Sequence, residues 1–252
     1  PDGKIVVAAV LFGNFPAELA VLRYLTDGTL DNTFGTGGIA RIPEPAFAST
    51  SALDIAIQAD GKIVVVGSAA AVGEPFADFS LARFLPGGQP DLSFGVMGIA
   101  IHRIFGYAYG SLPYAIALQP DGKILLAGAK IDNMDFRIHA IVLRCLSNGA
   151  IDPAFADHGV FDFLPDTSDI AVFYDIEALS DGKIILAGEI STPTSAQHFL
   201  LMRLGPDGTP DPTFGNKGIA ASGFGTQAYR IAIQPDKKIV VSGREFGGPG
   251  LQ

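Results

Sequence analysis

The sequence predicts an all-β fold: a β-propeller of four-stranded antiparallel blades, about 60 residues per repeat, with at least four to five blades represented. Three observations predict it. A turn-forming stretch recurs along the whole chain at intervals near 60 residues. Between the turns, apolar residues alternate or run in short β-branched blocks. No segment sustains a 3.6-residue period with helix caps, which excludes helical repeats.

The recurring stretch is clearest at Leu118–Gly128, LQPDGKILLAG. Relatives stand at Ile57–Gly67, Leu179–Gly188 and Ile233–Gly243, and a shortened copy opens the chain at Pro1–Ala9. The turn aspartates are Asp2, Asp60, Asp121, Asp181 and Asp236, giving spacings of 58, 61, 60 and 55. Approximate units are 1–50, 51–111, 112–171, 172–227 and a partial 228–252, read as a single propeller cut from a longer repeat protein.

Each unit holds four β-like segments. The first alternates, as in Leu53–Gln58, LDIAIQ. Asp then folds back on its own backbone and Gly accepts a positive φ, so the PDGK turn makes a hairpin. The second segment, such as Ile63–Gly67, is a β-branched run that reads as buried. The third contains Arg23, Arg83, Arg144 or Arg203, and a second turn follows. Eight residues after each Arg stands Asp31, Asp91, Asp152 or Asp211, and three further on Phe34, Phe94, Phe155 or Phe214. The fourth segment is short, GIA or GVF. Strand counts of 3, 4, 4, 4 and 2 give 17 strands. Arg in an apolar strand requires a charged partner, so Arg and Asp are expected to clamp each blade, with the Phe wedged between blades.

The pairing of QPDGKILLAG with LxRxL, DGTxD and FGxxGIA resembles the delta-60 repeat family, a bacterial β-propeller repeat of unassigned function, over essentially the whole chain. Lys237 and Ala156 depart from that pattern where it has Gly. The resemblance implies a secreted or envelope-associated bacterial protein and implies no activity.

The net charge of −9 argues against nucleic acid and anionic membrane surfaces. No run of 18 apolar residues exists to span a membrane. Cys145 is the single cysteine, so no internal disulfide is available. His102, His139, His158 and His198 share no metal-ligand spacing, and no nucleophile-elbow or phosphate-loop motif is present.

Blade topology puts the uniform DG turns on one face and the variable segments on the other. The variable ones are 11–18, 68–78, 130–139 and 190–198, with the links 41–52, 101–113, 162–173 and 221–228. The variable face is therefore the expected ligand face. Candidate ligand contacts are His102, Tyr107, Tyr109, Asp132, Asp135, Tyr229 and Arg230. Asp132, Asn133 and Asp135 offer oxygens to calcium but lack a full binding loop, so no cofactor is expected beyond that weak calcium candidate. The expected role is a non-catalytic extracellular or cell-surface binding or adhesion module for a protein or glycan. A glycan-acting hydrolase or lyase in a central funnel and a structural spacer are the alternatives.

Overall fold

The computed structural model describes residues 2–11, 18–42, 47–71, 76–104, 110–132, 136–165, 170–192, 195–221 and 226–245. Among these every regular element is a β-strand. The first blade is β1 (Ile5–Leu11), β2 (Glu18–Tyr24) and β3 (Ile39–Arg41). The second has β4 (Phe47–Thr50), β5 (Asp54–Ile57), β6 (Ile63–Ala71), β7 (Asp78–Phe84) and β8 (Ile99–His102). The third is β9 (Ser111–Leu118), β10 (Ile124–Ile131), β11 (Ile138–Cys145) and β12 (Val160–Phe163). The fourth is β13 (Ile170–Ala178), β14 (Ile184–Thr192), β15 (Ser195–Leu204) and β16 (Ile219–Ala221). The fifth shows β17 (Thr226–Ile233) and β18 (Ile239–Glu245).

Within each blade, neighbouring strands pair antiparallel in chain order. The described strands number 18 rather than 17, because the leading strand of the second blade is split. Both β4 and β5 pair with β6. Stretches expected as variable loops are partly strand for a related reason. The leading strands begin earlier than their alternation suggested, at Phe47, Ser111, Ile170 and Thr226. The span 190–198 is mostly hairpin, since β14 and β15 extend to Thr192 and from Ser195.

The chain divides into two compact units. One comprises residues 1–104, 110–113 and the turn 147–150; the other holds 105–109, 114–146 and 151–252. In each, the core lies between blades. Residues alternate along a strand, so a second strand gives one face to each neighbour. On β14, Ile184 and Leu186 pack with Leu125 and Ala127 of the third blade. Ile185 and Ala187 pack with Ala228 and Ile231 of the fifth. In the first unit Ile63 and Val65 pack with Leu19, Val21 and Phe34. Burial on both faces is why these runs are continuously apolar.

The expected clamp is present in four blades and reaches further than the pairing alone. Arg Nε donates to Asp Oδ2 at 2.8 Å (Arg23–Asp31), 2.9 Å (Arg83–Asp91), 2.8 Å (Arg144–Asp152) and 2.8 Å (Arg203–Asp211). Each guanidinium lies over its phenylalanine ring, 4.4 to 4.6 Å from the centroid of Phe34, Phe94, Phe155 or Phe214. Nη1 then crosses to the second turn of the following repeat. Arg23 donates to the Pro86 carbonyl at 2.7 Å, Arg144 to Pro206 at 2.5 Å, and Arg83 to Ser147. The same turns accept backbone bonds from Gly35 (to Gly87, 2.8 Å) and Ala156 (to Asp207, 2.7 Å).

The turn glycine of the following repeat makes room for the ring. A Cβ on Gly149 would stand 2.7 Å from Phe94, and one on Gly208 2.7 Å from Phe155. The Lys of PDGK joins from its own blade: Lys4 lies 3.0 Å from Asp31 and Lys183 2.9 Å from Asp211. Lys237 and Ala156 hold the left-handed backbone of the glycines they replace, with φ of 66° and 43°.

These contacts set the titration of the clamp aspartates. Burial pushes Asp91 upward, but the Ser93 hydroxyl and backbone N–H, with the charge of Arg83, outweigh it and hold the carboxyl below its ordinary 3.8. Asp152 is likewise lowered: Ala154 N–H and the charges of Arg144 and Lys123 overcome its burial.

Arg83→Ala should cost about 3–5 kcal/mol in a urea melt, because the buried Asp91 loses its hydrogen-bonded cation and keeps only Lys62, 3.9 Å away. Arg83→Lys should recover little of it, lacking the planar fork. The pH dependence follows from the same pairs. Each depressed aspartate binds fewer protons in the folded state. Its contribution is present above pH 3.8 and lost as pH falls through the lower folded value. The urea midpoint should therefore drop below about pH 4, and Asp91→Asn should flatten that drop.

Candidate functional site

The leading strands carry the feature that alternation hides. Pairing of β13 with β14 skips one residue between Phe173 and Asp175, and pairing of β17 with β18 skips one between Ala228 and Arg230. The skipped residues are Tyr174 and Tyr229. Such a β-bulge turns one extra side chain out of the ladder. It also drives a carbonyl against the partner strand. A Cβ on Gly188 would stand 1.8 Å from the Val172 oxygen, and one on Gly243 1.8 Å from the Gln227 oxygen. Only glycine fits there, which explains Gly188 and Gly243 at the ends of their second segments. In the second blade, where the leading strand is split between Thr50 and Asp54, Gly67 meets the Ser51 oxygen in the same way.

Counting back seven residues from the turn aspartate gives Tyr114, Tyr174 and Tyr229 in three successive repeats and Leu53 in the second. The three rings form a ladder. Tyr114 and Tyr174 have centroids 5.2 Å apart at 66°, and Tyr174 and Tyr229 are 5.3 Å apart at 58°. These are edge-on and tilted geometries favoured by ring quadrupoles.

Beneath the ladder lies a buried polar network. Tyr174 Oη donates to Glu189 Oε1 at 2.8 Å, Gln227 Nε2 donates to Glu189 Oε2, and Tyr229 Oη donates to Gln227 Oε1. Glu189 and Gln227 are buried. Burial, then the hydrogen bond to Glu189 and its charge, pushes the Tyr174 hydroxyl well above its ordinary range. Tyr114 is raised by burial and by Glu189. Beside them, Asp175 Oδ2 accepts the Ile231 N–H at 2.6 Å, tying the fourth leading strand to the fifth. Burial and the charge of Asp175 raise Glu177. Arg230 is exposed and reaches back to the carbonyls of Tyr174 (3.3 Å) and Tyr229 (3.0 Å).

The other sequence candidates fall elsewhere. Asp132 faces the buried Lys130 ammonium at 3.1 Å. Lys130 also meets Asp162 at 2.7 Å, and Asp162 meets His139 Nδ1 at 2.7 Å. Asp132 is thus paired with a cationic side chain of its own strand end. His102 is buried at the end of β8. Burial lowers its pKa, partly offset by a hydrogen bond with the Gly149 backbone. Tyr107, Tyr109, Asn133 and Asp135 lie outside the described residues. Among the described residues, no group of three His, Cys, Asp or Glu is placed to hold a metal.

Polar side-chain contacts also join the start of the third strand to the end of the fourth, away from the DG turns. They are the ion pairs Glu18–Arg41 at 2.7 Å and Asp78–Arg103 at 3.3 Å, and the hydrogen-bonded pair His139–Asp162 at 2.7 Å. The position is constant, five residues before the repeat Arg, but the residue type is not. Only the clamp end is uniform in chemistry.

A family model described as "Domain of unknown function (DUF5122) beta-propeller" matches residues 1–34, 58–94, 119–155 and 179–214. Every matched block ends on a clamp phenylalanine, and all three ladder tyrosines lie outside the blocks. No curated protein matches the chain. Among solved structures, the chain is similar to a gluconolactonase from Xanthomonas campestris at 14% identity and a TM-score of 0.42, covering 90% of this chain and 65% of that one. It is also similar to a mutant Trypanosoma rangeli sialidase displaying trans-sialidase activity, at 14% identity and a TM-score of 0.50, covering 95% and 39%. The chain thus spans less than two thirds of the length of either protein, and the likeness is one of fold.

Glu189→Gln should lower the Tyr174 pKa by removing the carboxylate acceptor and its charge. Burial should still keep it above the ordinary 10. Tyrosinate absorbance followed through an alkaline titration, with Tyr174→Phe identifying the affected step, measures this. An unchanged titration in Glu189→Gln would show that the charge has no part in the shift.

Proposed function

Because the chain belongs to the DUF5122 β-propeller family, whose matched pattern serves to join blades, we propose that its function lies in what the individual blades add to that pattern. The chain acts as a non-catalytic binding module, and its ligand lies over the tyrosine ladder. One observation carries this reading. The bulge needs only an extra residue, and Leu53 fills the equivalent place in the second repeat, so backbone geometry does not explain three tyrosines in succession. Aromatic faces beside hydrogen-bonding groups suit the apolar faces and hydroxyls of a sugar. A glycan chain crossing successive leading strands is the ligand this arrangement suits best, with Tyr229 and Arg230 as its most exposed contacts.

Hydrolysis by paired carboxylates is less well supported. That chemistry needs two acids free to reach a substrate. Both Glu189 oxygens already accept hydrogen bonds, and Asp175 is bonded to two backbone N–H groups. An extracellular or envelope setting in a bacterium is part of the proposal, on the strength of the repeat resemblance. No helix among the described residues is long and apolar enough to cross a membrane.

Tyr229→Ala should weaken binding by about tenfold or more, the loss expected for an exposed aromatic contact, on a glycan array confirmed by calorimetry. Gly28→Asn, at a DG turn with open space around its α-carbon, should leave binding unchanged. Binding that survives Tyr229→Ala but is lost in the Gly28 variant, with the fold intact, would place the ligand at the opposite end of the blades. Selective capture of peptides instead of glycans would replace the ligand class.

A further inference from the structure

Glu189 is a charge without a counter-charge. It is 4% exposed, and both of its oxygens accept hydrogen bonds, Oε1 from Tyr174 and Oε2 from Gln227. The ionised carboxylate, an acceptor only, is the form that two donors suit. Both donors are neutral. Among the described residues no lysine, arginine or histidine makes an ion pair with Glu189. Arg230 keeps to the backbone, on the carbonyls of Tyr174 at 3.3 Å and Tyr229 at 3.0 Å. Buried charges are ordinarily answered by opposite ones. The clamp aspartates Asp91 and Asp152 obey that rule, each with an arginine and a lysine. Glu189 departs from it.

The charge is felt along the ladder. After burial, Glu189 is the next cause that raises the hydroxyls of Tyr174 and Tyr114. A phenol that donates to a carboxylate becomes richer in electrons, which strengthens the negative face of its ring. Such faces attract cations. Tyr174 has a ring on either side, Tyr114 at 5.2 Å and Tyr229 at 5.3 Å, and is still only half-buried. Its open surface therefore belongs to the middle of the ladder and not to an end of it.

We infer that the ladder selects a glycan bearing protonated amines, a polymer of amino sugars with free amino groups. This rests on the reading that the ladder binds a glycan, and it names which class. The apolar faces of the sugar lie on the rings, as they would for any glycan. The ammonium groups answer the charge of Glu189 across the ring faces, a contact that a neutral sugar does not make. An acidic sugar is turned away by the same charge. Glu189 acts through the tyrosines and sets this preference without touching the ligand.

Calorimetry of the 252-residue chain tests this with three oligomers of equal length: glucosamine, its N-acetylated counterpart and a uronic acid. Titrations run on the acid side of neutrality, where the free amines are protonated. The amino oligomer should bind about tenfold more tightly than the acetylated one. The uronate should bind least, and added salt should narrow the gap. Glu189→Gln keeps the side chain's shape and should bring the ratio of the first two affinities close to unity. Combining Glu189→Gln with Gln227→Glu should restore the ratio. The hydrogen bonds of the network are then kept with the two side chains exchanging roles, and the charge returns beneath the ladder. A preference that persists in Glu189→Gln overturns the inference. So does an acetylated oligomer bound as tightly as the amino one by the native chain, or a double variant that folds as the native chain does and fails to regain the preference. Each of these leaves glycan binding by the ladder standing. If none of the three oligomers binds, both readings fall.

Discussion

The arginine in the third strand is the constraint from which the rest of the architecture follows. A guanidinium in an apolar strand is tolerated only if its charge and its donors are answered. Here Nε is answered by the aspartate eight residues on, the cationic plane by the phenylalanine three further, and Nη1 by a carbonyl of the following repeat. The first contact closes the second hairpin of a blade, the next seats the wedge, and the last joins one blade to another. The turn glycines follow as a consequence, since any side chain there would meet the ring. The clamp thus converts a local sequence pattern into a rule for stacking sheets.

The leading strands of the fourth and fifth blades carry a second constraint. A bulge interrupts each, forces glycine on the strand beside it, and leaves one side chain directed out of the ladder. The scaffold sets where that side chain stands and leaves its identity open. The sequence has Leu at one such place and Tyr at three. Tyrosines so placed touch from blade to blade and converge on Glu189 and Gln227, whose polar atoms are satisfied by one another and by the ring hydroxyls. A satisfied buried network of this kind is rigid, which suits a surface that binds by presenting fixed rings.

The two ends of a blade are therefore chemically unlike. At the DG turns the same four residue types recur with the same distances. At the other end the paired residues change between blades, from the Glu18–Arg41 ion pair to the His139–Asp162 hydrogen bond. A function that depends on individuality belongs with the second set. A function that depends on repetition, such as the stacking of one blade on the next, belongs with the first.

The sequence by itself determined the fold class, the clamp partners and the position of the hairpins. These rest on contacts within a few residues and on a period that repeats, so the chain displays them several times over. It also named Tyr229 and Arg230. The tertiary structure alone decided how far the leading strands run, because a bulge breaks the two-residue alternation by which a strand is read, and the residues before it look like loop. It likewise decided the role of Glu189, an acid inside an apolar run whose partner Gln227 is 38 residues away. The tyrosine spacing was visible seven residues before each turn, but whether the rings touch depends on how adjacent blades pack. It decided too that Lys130 answers Asp132, an attraction between neighbours in sequence that only the folded strand end brings to bear.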